Sequence, residues 1–134
     1  MQYAIHKKCK KMTNSINWFE IPVTDFARAK KFYETIMESE MHPMEMGGMK
    51  SAFFPFDMQG GGIGGCITKA EGYEPSSKGT LVYLYGGEDL STPLSKIEKA
   101  GGKIIMPKTA IGANGFMAHF TDTEGNKVAL HSRK

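Results

Sequence analysis

Residues 16–33 read INWFEIPVTDFARAKKFY, and the rest of the chain is organised around this stretch. From Ile16 to Val23 the residues alternate. Phe19, Ile21 and Val23 fall on one side and Trp18 and Glu20 on the other, the period-two pattern of a strand. Pro22 has no amide to donate to a ladder, so it marks the end of the strand or an edge. Thr24 or Asp25 can then accept from the orphan amides of a helix's first turn. Beyond that cap Phe26, Ala29, Phe32, Tyr33 and Ile36 recur at helical spacing as a core stripe. Arg28, Lys30, Lys31 and Glu34 stand outside it.

The pattern then restarts. Leu81 to Tyr85 reads as a strand and Gly86-Gly87 as a turn, and Asp89 stands where Asp25 stood. Leu90 to Ala100 reads as a helix closed by Gly101-Gly102. Trp18 corresponds to Val82 and Asp25 to Asp89. In the first half the remaining strands are Lys50 to Asp57 and Ile63 to Thr68, with Glu38 to Gly48 irregular between helix and strand. In the second half they are Lys103 to Met106, Phe116 to Thr121 and Lys127 to His131, with a loop over 107–114 and a tight turn from Asp122 to Asn126. Each half is read as a βαβββ unit, although only two of the three later strands of the first half are marked by pattern, and each has one bare sheet face that it cannot bury alone. Two such units in one chain curl their sheets around a shared concavity. The expected class is α+β, with repeat one over residues 15–69, a polar linker over 70–79 and repeat two over 80–132. Residues 1–14 precede the domain as a flexible extension.

At 134 residues the chain suits one domain with a core that needs no disulfide. The net charge of +3 is unevenly placed, because Lys7, Lys8, Lys10 and Lys11 lie in the arm; removing those four leaves the body near −1. Charge confined to an arm is a poor footprint for nucleic acid, and basic residues are not interleaved with aromatics. Met12 is an alternative start that would leave the arm out. Cys9 and Cys66 lie in unlike contexts, so a disulfide is not expected and the two free thiols suit a cytoplasmic protein. His6 and Cys9 lack a second pair of ligands for a metal. No apolar run has the length of a signal sequence or a membrane span. The run MQGGGIGGCITK is rich in glycine but is not followed by Gly-Lys-Ser/Thr, so it reads as a turn and a closely packed strand, not as a phosphate cradle.

Three stretches carry a resemblance: INWFEIPVTDFARAKKFYE, IEKAGGKI after the second helix, and GFMAHFTDTEGNKVALHS near the end. Together they resemble the vicinal oxygen chelate superfamily of glyoxalases, bleomycin resistance proteins and extradiol dioxygenases, over about residues 15–132. In the last stretch Thr123 stands where the family's turn carries proline. The resemblance implies two βαβββ repeats around a cup and a homodimer. It also implies metal ligands on the first and last strand of each repeat. Carried over by distance from the capping aspartates and the Asp122–Asn126 turn, those positions fall on Trp18, Gly65, Val82 and Ala129. None of these side chains binds a hard or borderline metal, so no metal and no other cofactor is expected.

The first expectation is therefore a bleomycin-resistance-like protein that binds a small organic molecule in a metal-free cup lined by Trp18, Val82, Leu84, Ala129, methionines and a few polar groups. The alternative is a lyase, isomerase or dioxygenase of the same superfamily. Strand parity puts Glu20, His119 and His131 on cup faces, and one carboxylate with two imidazoles suffices for acid-base work or for a relocated divalent metal site. Each of the three also has an ordinary reading: a salt bridge from Glu20 to a rim lysine, a strand histidine at 119, and a hydrogen-bonded terminal histidine at 131. Tyr33 is read as structural. No Gly-x-Ser-x-Gly elbow, dinucleotide fingerprint or calcium-binding loop is present.

Overall fold

The structure, a computed structural model, describes residues 13–134. The basic arm with His6, Cys9 and Met12 lies outside the described residues, so the expectations about it are not addressed. The elements run β1 (Trp18–Pro22), α1 (Phe26–Met37), β2 (His42–Met46), β3 (Met49–Phe53), β4 (Gly64–Lys69), β5 (Tyr83–Tyr85), α2 (Ser91–Leu94), β6 (Lys103–Ala110), a 3-10 turn (Gly112–Asn114), β7 (Phe116–Thr121) and β8 (Lys127–Ser132). They form two four-stranded mixed sheets, ordered β1-β4-β3-β2 and β5-β8-β7-β6. In each sheet the first and last strands of a repeat pair in parallel and the other pairs are antiparallel. The duplicated α+β architecture read from the sequence is the one observed.

One core joins the repeats. The α1 stripe buries Ala29, Phe32, Tyr33 and Ile36. Tyr33 meets Phe54 of the first repeat edge to face at 5.4 Å, and Phe32 lies 6.0 Å from Phe120 of the second. Ile21 and Ile67 of the first sheet, Leu84, Ala118, Phe120, Val128 and Leu130 of the second, and Leu90 and Ile97 complete the cluster. Asp25 is the cap of α1, its Oδ1 accepting from the Arg28 amide at 3.0 Å. At the other end Glu38 ends the helix in the left-handed region, at φ 51°.

A turn in the second repeat secures the first. Asp122 accepts from the Tyr33 hydroxyl at 2.7 Å, from the amides of Glu124 and Asn126, and from Asn126 Nδ2. Asn126 donates to the Pro22 carbonyl and accepts from the Ser76 amide, tying in β1 and the linker. Glu124 accepts from the Thr24 and Asp25 amides at 2.9 and 2.7 Å and from Arg28 Nε at 2.8 Å. Burial alone would raise the Glu124 carboxyl. The Arg28 guanidinium and the capped amides outweigh that and hold it at about 2. Burial, together with Asp122, holds the Tyr33 phenol well above its ordinary value, so it remains a donor.

Three elements depart from the sequence reading. The irregular stretch after α1 contains β2, which gives the first repeat its third strand after the helix; all five of its residues are exposed, so no burial pattern announces it. The second helix is short. After Leu94 the chain goes on in turns to Gly101, with mixed bonds such as Lys96 N to Pro93 O and Ala100 N to Lys96 O. The 107–114 loop begins as strand, since β6 continues through Pro107 to Ala110 with two irregularities in its pairing to β7. β6 is an edge strand, where proline leaves no ladder bond unmade. Among the described residues no helix is long and apolar enough to cross a membrane.

Candidate functional site

The face of the first sheet turned away from the core is set by its register. Residues opposite one another across a ladder share a face. Trp18 is opposite Gly64, Glu20 opposite Cys66, Cys66 opposite Phe53, and Ser51 opposite both Thr68 and Met44. Trp18, 39% exposed, meets the rings of Phe53 and Phe56 edge to face at 5.7 and 6.0 Å. Gly64 admits this arrangement because a Cβ there would run into the Phe56 ring. Gly65 faces the other way: a Cβ at that position would strike Phe19, on the core side.

Glu20 is anchored by the linker. The Tyr73 hydroxyl donates to its Oε1 at 2.8 Å, and Cys66 Sγ lies 3.9 Å from its Oε2. The hydrogen bond that Tyr73 donates to Glu20, followed by the carboxylate's charge, raises the Tyr73 phenol above its ordinary value. Cys66 is free and buried; its sulfur lies 3.2 Å from Thr68 Oγ1, which in turn lies 3.0 Å from Ser51 Oγ. Burial pushes the Cys66 thiol up and the Glu20 charge adds to this, against the Thr68 hydrogen bond. At neutral pH it is a thiol, a poor nucleophile. A salt bridge to a rim lysine, one of the two readings of Glu20, does not occur among the described residues.

Two cavities meet at Trp18 and Glu20. One, of about 260 Å³, lies over the sheet and is bordered by Met44, Met46, Met49 and Phe53. The other, of about 430 Å³, follows the seam between β1 and the second repeat, where Thr80, Val82, Asn126 and Lys127 line it.

On the second sheet the outward row is Tyr83, Ala129 and His119, followed by Tyr85, His131 and Met117. His119 is almost buried, and its Nε2 lies 3.2 Å from the Tyr83 hydroxyl, with the rings edge to face at 5.8 Å. Burial, reinforced by the charge of Lys127, lowers the His119 pKa, so the ring is neutral at pH 7. His131 Nε2 donates to the Asn114 carbonyl at 2.7 Å.

These placements sort the candidates. Trp18 and Glu20 face outward as parity requires, as do His119, Ala129 and His131. Leu84 does not; it is 4% exposed and part of the core, with Val82 packed against the same cluster. The residues of β5 that share a face with Ala129 are Tyr83 and Tyr85, because Tyr83 is opposite Ala129. Val82 instead borders the seam cavity. Glu20 belongs to the first sheet and bonds Tyr73, whereas the two histidines belong to the second and bond different partners. Among the described residues no three His, Cys, Asp or Glu side chains come together as a metal site. The sequence reading expected methionines in the lining, without saying which, and missed Tyr73 and Tyr83.

Comparison with known proteins agrees with this architecture. The family model for the Glyoxalase/Bleomycin resistance protein/Dioxygenase superfamily matches residues 15–130. A candidate glyoxylase, CFP32, of Mycobacterium bovis is 24% identical over 114 residues, which are 85% of this chain and 44% of that protein. The chain thus spans less than half the length of the curated relatives it matches. Among solved structures, glyoxalase I from Zea mays superposes with a TM-score of 0.65 at 20% identity, covering 87% of this chain and 45% of that one. A glyoxalase/bleomycin resistance protein from Albidiferax ferrireducens gives 0.67 at 16% identity, covering 90% and 100%. At these identities the solved structures speak for the fold alone.

Proposed function

The chain belongs to the glyoxalase/bleomycin resistance protein/dioxygenase superfamily, and from that membership we propose that it binds a small organic molecule at Trp18 and Glu20 without a resident metal. The observation that carries this reading is the junction of two cavities, about 260 and 430 Å³, at those two side chains. The smaller is walled mainly by Trp18, Phe53 and methionines, and the larger mixes apolar with polar and charged side chains, concave surface of the kind that small ligands use. A second copy of the chain is the partner we propose for the outer face of the second sheet, which carries exposed Tyr83 and Tyr85, large aromatic surface of the kind that monomeric proteins rarely leave open.

A catalytic reading rests on one contact, the Tyr83 hydroxyl against the neutral His119 ring. That pair could deliver or accept a proton at a bound oxygen. Glu20 and His131, the other acid-base candidates, make no contact with it.

A screen of small organic molecules, read through the fluorescence of Trp18, the sole tryptophan, tests the binding reading. Ligands are expected to change that emission, and metal analysis of chelator-free protein is expected to find no stoichiometric metal. Bound metal that disappears in H119A and H131A variants would replace this reading with the catalytic one.

A further inference from the structure

We propose that the ligand taken by the first sheet's outer face is an organic cation, an alkyl- or arylammonium. The inference rests on the small-molecule reading above and names its substrate class. Of the residues bordering the 260 Å³ cavity, Glu20 alone is charged. Lys, Arg and His partners for it are lacking among the described residues; its contacts are the Tyr73 hydroxyl on Oε1 and the more distant Cys66 sulfur near Oε2. Tyr73 holds the carboxylate in place yet supplies no charge, and among the described residues Oε2 has no hydrogen-bond partner closer than the Cys66 sulfur at 3.9 Å.

The other walls favour the same sign. Trp18 and Phe53 present aromatic surface, whose negative quadrupole attracts a cation and repels an anion. Met44, Met46 and Met49 add polarizable thioethers that accommodate varied alkyl groups. A neutral apolar guest would take water from the Glu20 carboxylate and return nothing. An anion would meet both the carboxylate and the aromatic faces. A hard metal ion would need several more oxygen ligands than one carboxylate provides. An ammonium group satisfies the carboxylate and the rings together, while its carbon substituents fill the space under the methionines.

Three probes of matched size and different charge decide the matter: 2-phenylethylammonium, 2-phenylethanol and phenylacetate, titrated against Trp18 fluorescence. The ammonium is expected to bind about tenfold more tightly than the alcohol, with phenylacetate weakest. E20Q is expected to erase the gap between ammonium and alcohol, and Y73F to preserve it, because Y73F leaves the charge in place. Raising the salt concentration on unmodified protein should narrow the gap in the same direction. Equal binding of all three probes, or an ammonium preference that survives E20Q, overturns the assignment. Preference for the alcohol or the carboxylate overturns it too, but leaves the small-molecule reading standing. Silence of Trp18 toward these probes and the broader screen removes both.

Discussion

In the first repeat, α1 runs twelve residues from an aspartate whose side chain caps it; in the second, α2 runs four residues and Leu90 at its cap position makes no side-chain bond. Asp89, the counterpart of Asp25, accepts instead from the Ser91 amide and from Lys108 Nζ, both at 2.9 Å. The first helix receives a second set of acceptors from Glu124, a residue of the other repeat. The outer faces diverge as well. Beside Trp18 the first sheet sets a carboxylate, aromatic rings and thioethers, whereas the second sets Tyr83 against a neutral histidine. The repeats thus share their strand order and differ both in how their helices are capped and in the charge and chemistry of their outward positions.

The largest test breaks the bond between repeats. Asp122→Ala orphans the Tyr33 hydroxyl and two amides and takes one of the two acceptors of Asn126 Nδ2, so urea unfolding should show a loss of about 3 kcal/mol. Asp89→Ala, on the exposed side of the second repeat, should move the midpoint far less. Equal shifts would mean that the two aspartate-bearing turns are equivalent after all.

A smaller effect follows from Glu124. Its carboxyl sits at about 2 in the folded chain against an ordinary 4.5. A depressed carboxyl contributes stability above its unfolded value and loses it as the pH falls through the folded one. The gap in urea midpoint between the unmodified protein and E124Q should therefore be widest near neutrality and close between about pH 4.5 and 2. A gap independent of pH would show that the side chain acts through packing, not charge.

The smallest effect concerns the second sheet's face. His119 should titrate below its ordinary 6.5 by NMR, and Lys127→Gln should raise it toward that value, since burial is the leading cause and the lysine charge the second. A His119 that titrates above 6.5 would make this face cationic near neutrality.

Much of this was legible in the chain itself. The alternation through Trp18 and Glu20, the Asp25 cap, the α1 stripe and the Asp122–Asn126 turn are local patterns, and local patterns survive folding. What escaped was set by partners elsewhere. The edge strand β2 buries nothing, so HPMEM has no periodicity to read. The facing of β5 rests on its register with β8, and three residues alternate equally well in either phase. Tyr73 reaches Glu20 across 53 positions of sequence, and no spacing rule predicts that hydrogen bond.

The hold of Glu124 on the start of α1 also imposes an order in time. The carboxylate lies 99 positions beyond the Asp25 amide it accepts from, so during synthesis the first repeat is made long before its acceptor exists. Until then the Thr24 and Asp25 amides must remain with water, and Phe32 lacks Phe120 to pack on. The first half is therefore a late finisher despite being an early arrival, and closing so long a loop belongs to the slow part of folding.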